Sequence, residues 1–383
     1  MKLAILGAGT QARAIARDIS RFSGAERVEV FDQQPVIAQA LVDELGDGRF
    51  VAAELDVRDH SAVASALQSV DAALGAVSYD DNEALTKIAI STRTHFCDLG
   101  GNHDVVDAQL ALTDDARAAG VLVIPDLGLA PGLAGLIGAD LVRGFDVPES
   151  LQLRVGGLPV TPEEPLNYRL VFSVRGLINE YIEDCRTLEG GRLKIVPGLS
   201  ELERLEFVAP FGELEAFQTS GGTATLTETL AELVPELSYK TIRYPGHCQT
   251  IRALQGLGLF EEDEIQVGTA KVIPRNVTEA VMATRLNESV DDVVLARFTC
   301  RGRLGDDRVE MSEELIEYGD AECGLSAMAR CTGYPAAIVL DMIATGQIPE
   351  RGVQVQERVV PMDRFRKALT QRGFTLRSNR RVL

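Results

Sequence analysis

The chain has no tryptophan, four histidines and six cysteines among its 383 residues. So few histidines narrow the choice of imidazole for acid–base work. Of His60, His95, His103 and His247, only His247 follows a run carrying Lys240, Arg243 and Tyr244. The cysteines (Cys97, Cys185, Cys248, Cys300, Cys323 and Cys331) never fall at Cys-x-x-Cys or zinc-finger spacing. Nothing in that pattern calls for a disulfide framework or a metal, and a reducing cytoplasm fits it. The opening residues read as a strand, with no basic-then-apolar leader. Basic residues are scarce as well: 38 Lys and Arg stand against 57 Asp and Glu, a net charge of −19. That balance argues against broad binding to nucleic acid or to an anionic membrane, since both need a positive field. The basic residues that close the chain (Arg364, Arg366, Lys367, Arg372, Arg377, Arg380, Arg381) interleave with Phe365, Leu369, Phe374 and Leu376, which reads as the solvated face of a terminal helix. Long apolar runs are also missing. The longest apolar region, Val121 to Val142, is broken by Pro125, Asp126, Pro131 and Asp140, which disqualifies it as a membrane span.

What is present begins at the N-terminus. Leu3-Ala4-Ile5-Leu6 runs into Gly7-Ala8-Gly9-Thr10-Gln11-Ala12, and the next apolar run, Val28 to Phe31, ends at Asp32. A strand entering Gly-x-Gly-x-x-Ala lets the backbone approach a pyrophosphate, which then sits on the N-terminus of the following helix. An acidic residue about 20 positions later accepts hydrogen bonds from the adenosine ribose. Asp32 stands there, and its charge would repel a 2′-phosphate, so the expected cofactor is NAD rather than NADP. Asp56 and Val57, after the third strand, suit an adenine pocket, with a plain turn as the alternative.

Through about Gly128 short apolar runs alternate with helical patterns, which predicts an α/β, Rossmann-type doubly wound parallel sheet with right-handed crossovers. Polar residues cluster at the carboxyl ends of its strands, where ligands lie in such sheets: Asp56, Ser78 with Tyr79, Asp98 and Asp126. From about Ser150 the rhythm changes to strands separated by glycine and proline, among them Leu151–Val155, Leu170–Val174, Glu213–Phe217, Tyr239–Tyr244 and Val293–Thr299, with one helix at Thr227–Leu233. This predicts an α+β substrate and dimerisation domain with a largely antiparallel sheet. The expected division is a dinucleotide-binding domain over 1–130, the second domain over 131–320, and C-terminal helices over 321–383 that return to the first.

Two further segments, Cys97-Asp98-Leu99-Gly100-Gly101-Asn102 and Lys240-Thr241-Ile242-Arg243-Tyr244-Pro245-Gly246-His247, join the glycine motif in resembling the saccharopine dehydrogenase superfamily, and within it the lysine 6-dehydrogenases. Supporting stretches are Pro125 to Gly132, Gly156-Gly157-Leu158-Pro159, Leu166-Asn167-Tyr168, Asn179-Glu180-Tyr181, Gly221-Gly222-Thr223 and Thr332 to Ala337. Relatives often read Asp-Cys-Gly where this chain has Asp126-Leu127-Gly128, which argues against a catalytic thiol there. The resemblance implies an NAD(P) enzyme acting on the C–N bond of a basic amino acid, with a dinucleotide-binding domain and a substrate/dimerisation domain; a homo-oligomer is expected, and the composition reads as soluble. For the lysine 6-dehydrogenases the reaction yields allysine, which cyclises to piperideine-6-carboxylate, with ammonia and NADH.

Oxidising an amine needs a neutral nitrogen and a hydride acceptor beside its carbon. A lysine ammonium, with a pKa near ~10.4, must first lose a proton. His247 is the expected base, with a loop histidine that only bonds backbone as the alternative; Asp98 is expected to hold the ammonium and share the role, with a cap for the Gly100-Gly101 turn as the alternative. Tyr79 is expected to line the nicotinamide pocket. Arg243 is the expected guanidinium fork for the α-carboxylate, with Thr223 and Tyr168 completing the substrate site; core packing is the alternative for both tyrosines. Two other functional classes stay open. One is a saccharopine- or carboxynorspermidine-type dehydrogenase acting on a secondary amine, which would need a second anion-binding arginine. The other is a non-catalytic NAD-binding protein. A short-chain dehydrogenase is disfavoured by the absence of Gly-x-x-x-Gly-x-Gly and Tyr-x-x-x-Lys.

Overall fold

The computed structural model describes residues 1–286 and 291–383. It divides into two compact units, one formed by Met1–Asp140 with Ala329–Thr375, the other by Leu141–Met328 with Leu376–Leu383. The first boundary falls about ten residues later than the sequence pattern suggests. The C-terminal segment divides between the units: 329–375 joins the first, and the last strand joins the second.

In the first unit, strands β1 (Lys2–Leu6), β2 (Arg27–Asp32), β3 (Phe50–Glu54), β4 (Ala72–Gly75), β5 (His95–Asp98) and β6 (Leu122–Ile124) form a parallel sheet. A two-residue strand, Gly352–Val353, pairs in parallel with β6 and completes the order Gly352–Val353, β6, β5, β4, β1, β2, β3. Leu3, Ala4, Ile5 and Leu6 are all fully buried, as expected of a strand covered on both faces. Strand order reverses at β1, which lies between β2 and β4, and this places the switch point at the carboxyl end carrying the glycine motif. The helical pattern over 108–119 resolves into two helices, His103–Leu110 and Thr113–Ala119. The Thr113 hydroxyl accepts from the Val353 amide and donates to the Val353 carbonyl, so the returning strand pins the start of the second helix.

The terminal helix, Met362–Gln371, buries Phe365 and Leu369. Arg366 pairs with Asp140, and Arg372 pairs with the buried Asp18 while stacking over Phe22. Arg377, Arg380 and Arg381 are not helical, however. They lie on an exposed edge strand, Leu376–Val382, in the second unit, where Arg381 pairs with Glu310. Charge on an unpaired edge discourages pairing with other chains.

The second unit is built on a nine-stranded mixed sheet. Its main path runs Glu203–Phe207, Gly212–Phe217, Glu236–Arg243, Val147–Pro159, Asp292–Leu304, Asp307–Tyr318, Leu376–Val382. Every neighbouring pair on this path is antiparallel except Glu236–Arg243 against Val147–Pro159. The expected strand Leu170–Val174 is absent. Ser173 instead accepts a hydrogen bond from the Gly176 amide and caps a helix, Val174–Ile182, whose Leu177, Ile178 and Tyr181 face the core. A serine cap ahead of 3.6-residue apolar spacing outweighs the strand propensity of Leu-Val-Phe. The expected helix Thr227–Leu233 shortens to Leu226–Thr229.

Candidate functional site

The candidate cofactor residues, with Tyr79 and Asp98, lie in the first unit, and Tyr168, Thr223, Arg243 and His247 in the second. In the first, Gly7 has φ +98° and lies so close to β4 that a Cβ would stand 2.6 Å from the Ala76 carbonyl oxygen. Only glycine fits both conditions. Gly9 opens the helix Thr10–Phe22, whose start has no side-chain cap, and the space around Gly9 is clear. Thr10 is exposed there, Ala12 is fully buried against the sheet, and the Gln11 Oε1 atom is buried without a partner. Uncapped amides at a 13-residue helix start, beside an approachable backbone, suit a pyrophosphate. Asp32 Oδ2 accepts from the Ala8 amide at 2.9 Å and Oδ1 from the Gln34 amide at 2.9 Å, which fixes the carboxylate beside the glycine loop. The Leu55 amide bonds the Asp32 carbonyl, placing the turn at exposed Asp56 and half-buried Val57 on the neighbouring strand end. Asp56 Oδ1 takes the Arg58 amide at 3.0 Å, the turn geometry left open above.

At the end of β5, Asp98 is fully buried. Its Oδ1 accepts from the Gly100 amide at 2.8 Å and the Asp126 amide at 3.3 Å, and its Oδ2 from Gln109 Nε2 at 2.7 Å. Both oxygens are committed to the loop, so Asp98 organises the turn and does not present a carboxylate to a substrate ammonium. Asp126, at φ +65°, accepts from the Gly101 amide. A Cβ on Gly100 would meet its Oδ1 at 1.6 Å, so glycine is obligatory there. Tyr79 packs its ring over Gly101, where a Cβ would stand 2.9 Å from the Tyr79 ring.

Burial raises both carboxyls, and for Asp126 the adjacent Asp98 adds to the effect and carries it to about 8. The folded protein therefore holds a proton on Asp126 that the unfolded chain releases above about 4, and stability falls as pH rises through that window. Asp126→Asn keeps the Oδ1 acceptor, tolerates positive φ and cannot ionise. Its melting temperature should match the parent near pH 4 and pull ahead by several degrees towards pH 8. Parallel curves between pH 4 and 9 would refute the assignment.

In the second unit, the carboxyl end of Glu236–Arg243 and the helix His247–Gly256 bring together Arg243, His247, Tyr168 and Tyr181. His247 is 1% exposed. Its Nδ1 lies 2.9 Å from the Leu166 carbonyl, which can only accept, so Nδ1 carries the proton and Nε2 accepts from the Tyr181 hydroxyl at 2.9 Å. Burial and the nearby Arg243 cation push the imidazole down to about 3. A neutral histidine with both nitrogens engaged is no general base for an amine, and the expected role of His247 is corrected accordingly. It aims Tyr181, whose oxygen in turn accepts from Arg243 Nε at 3.4 Å.

Arg243 is only 2% exposed. Its other hydrogen bond goes to its own strand, to the Ile242 carbonyl at 3.0 Å, and its guanidinium carbon lies 4.8 Å from the centre of the Tyr168 ring. No carboxylate lies within 4.0 Å of it among the described residues. The other buried arginines of this unit, Arg154 and Arg275, are both ion-paired, to Glu203 and to Glu262 with Glu279. A buried cation without a counter-ion is expensive, and an anionic ligand would relieve that cost. Tyr168 is 1% exposed and its hydroxyl closes no hydrogen bond of normal geometry. Thr223 is buried in the Ser220–Thr225 loop.

Comparison with known proteins bears on both units. A sequence model of the saccharopine dehydrogenase NADP binding domain matches residues 3–124. A second, of the saccharopine dehydrogenase C-terminal domain, matches residues 128–374. The chain belongs to the saccharopine dehydrogenase family. Saccharopine dehydrogenase [NADP(+), L-glutamate-forming] of Saccharomyces cerevisiae is 23% identical over 389 residues, covering 82% of this chain and 85% of the relative. The mitochondrial alpha-aminoadipic semialdehyde synthase of Bos taurus is 22% identical over 320 residues, covering 65% of this chain and 34% of the larger protein. Among solved structures, the apo saccharopine dehydrogenase (L-Glu forming) of S. cerevisiae superposes with a TM-score of 0.83 at 19% identity, covering 99% of each chain. A Rossmann-type sheet with a second mixed-sheet domain is thus the fold of this family. No helix among the described residues is long and apolar enough to cross a membrane, and none of them cluster as metal ligands.

Within this saccharopine dehydrogenase family chain, sequence reasoning missed Tyr181 as a partner of Arg243 and His247. Its signal was available: Asn179-Glu180-Tyr181 falls on one turn of the helix Val174–Ile182, but the strand reading of the residues before it hid that helix.

Proposed function

We propose that the protein oxidises the ε-carbon–nitrogen bond of L-lysine with NAD, releasing ammonia and leaving allysine, which closes to piperideine-6-carboxylate. The observation that carries this reading is Arg243, a buried guanidinium with no carboxylate in ion-pair contact among the described residues, in a family of amino-acid dehydrogenases. One such guanidinium suits one buried α-carboxylate. A secondary-amine substrate such as saccharopine carries more carboxylates, and among the described residues of this unit no second buried arginine is left unpaired. When bound, the dinucleotide supplies the hydride acceptor, and water supplies the oxygen that replaces nitrogen. The chain's own residues bind and orient. The helix start at Gly9 to Ala12 holds the pyrophosphate, Asp32 takes the ribose, and Arg243, steadied by Tyr181 and His247, fixes the carboxylate end of the amino acid.

The relatives' names favour a second reading, saccharopine oxidation with glutamate release. The deciding assay follows absorbance at 340 nm with NAD at alkaline pH, where the lysine ε-amine becomes neutral, with L-lysine and saccharopine in parallel. NADH with ammonia from lysine supports the first reading, and turnover of saccharopine alone supports the second. Cofactor binding with no turnover of either would point to the non-catalytic alternative.

A further inference from the structure

Glu180 has no role in that account. It sits on the helix Val174–Ile182 directly before Tyr181, and its backbone carbonyl takes the Ser220 amide at 2.9 Å. Among the described residues its carboxyl forms no ion pair and no hydrogen bond; burial raises it to about 7 while Arg243, within electrostatic reach, works against that rise, so it is an anion at the alkaline pH of the assay. Arg243 and Glu180 thus share one desolvated neighbourhood but stand outside the 4.0 Å of ion-pair contact. Elsewhere in this unit the equivalent gaps are closed: Arg154 with Glu203, Arg275 with Glu279 and Arg297 with Glu314 all pair directly. Glu180 also keeps partial exposure while Arg243 has almost none.

We propose that the opposed, unpaired charges of Arg243 and Glu180 form a clamp for the zwitterionic head of an α-amino acid, the guanidinium taking the carboxylate and Glu180 taking the α-ammonium. The head group carries its two charges on one carbon, so it can pair at once with a cation and an anion that the protein does not bring into contact. Both charges then find a partner in a low-dielectric setting, where each charge-assisted bond is strong. Glu180 is a specificity-determining residue on this reading, separating α-amino acids from simple carboxylates and amines. The clamp rests on the proposed use of Arg243, and it serves lysine and the lysine end of saccharopine equally.

The test is equilibrium titration of the NADH-bound protein with L-lysine, L-lysine methyl ester and 6-aminohexanoate, which lacks the α-amino group. The parent should prefer lysine over 6-aminohexanoate by about 10- to 100-fold. Glu180→Gln should bind NADH normally yet compress that preference to within about threefold, chiefly by losing lysine affinity. Retention of the parent preference in Glu180→Gln would overturn the clamp while leaving the Arg243 reading intact. If the methyl ester binds the parent as well as lysine does, the Arg243 reading falls and the clamp with it. Failure of every probe to bind parent protein that still holds NADH has the same meaning.

Discussion

Arg243→Met should make the ligand-free protein more stable and the enzyme nearly useless. The two effects share a cause. Desolvating a guanidinium costs several kcal/mol, and among the described residues the long Tyr181 contact, the Ile242 carbonyl, the Tyr168 ring and the more distant Glu180 carboxyl offset it without a direct ion pair. Methionine fills comparable space with no charge to bury. Replacing a poorly compensated buried charge by an apolar side chain is worth about 1–4 kcal/mol of stability, which appears as a rise of several degrees in melting temperature. The same substitution removes the partner of the substrate carboxylate, and truncating one side of a buried charge pair costs about 2–5 kcal/mol. That corresponds to a loss of roughly 30- to 3,000-fold in kcat/KM. Saturating L-lysine should narrow the stability gap, because ligand stabilises only the form that binds it. Differential scanning fluorimetry with and without lysine, beside steady-state kinetics, reads all three effects. A variant that melts lower than the parent, or keeps its affinity for lysine, would mean that Arg243 is a structural residue.

The parts of the molecule that were legible in the sequence are those where local pattern and tertiary role coincide. The β1 run, Gly7, Gly9 and Asp32 are specified by backbone needs acting over a few residues, and the structure meets them with a positive φ, a close approach and two amide bonds. Arg243 was named from the need of an α-carboxylate for a guanidinium, and its burial at the end of Glu236–Arg243 came only with the fold. His247 and Asp98 misled for one reason: a titratable residue at the end of a strand looks alike whether its polar atoms face solvent or are consumed inside. Only the fold reveals that Leu166, Tyr181, Gln109 and Gly100 take them. Glu180 was hidden because its helix follows Leu170 to Phe172, where strand propensity misplaces the boundary by several residues.

Cofactor choice is where this chain is expected to depart from its relatives' names. NAD should be preferred over NADP by 100-fold or more in kcat/KM. Asp32 cannot turn away from a 2′-phosphate, because the Ala8 and Gln34 amides each hold one of its oxygens. A ribose hydroxyl can still donate to this fixed carboxylate, but a phosphate meets like charge, a mismatch worth several kcal/mol. The residues that follow, Gln33 and Gln34, are exposed and bring no cation. Asp32→Ser combined with Gln33→Arg should therefore reverse the preference: serine removes the repulsion, and the guanidinium supplies a phosphate fork. Asp32→Ser alone should lose affinity for both cofactors, since it also gives up an amide bond that shapes the glycine loop. A parent enzyme that prefers NADP would refute the argument. So would a double variant whose preference does not move. Because Asp32 closes a buried strand while Gln33 and Gln34 face solvent, the phosphate-discriminating position lies outside the core. Members of one fold family can thus differ in cofactor without repacking the sheet that binds it.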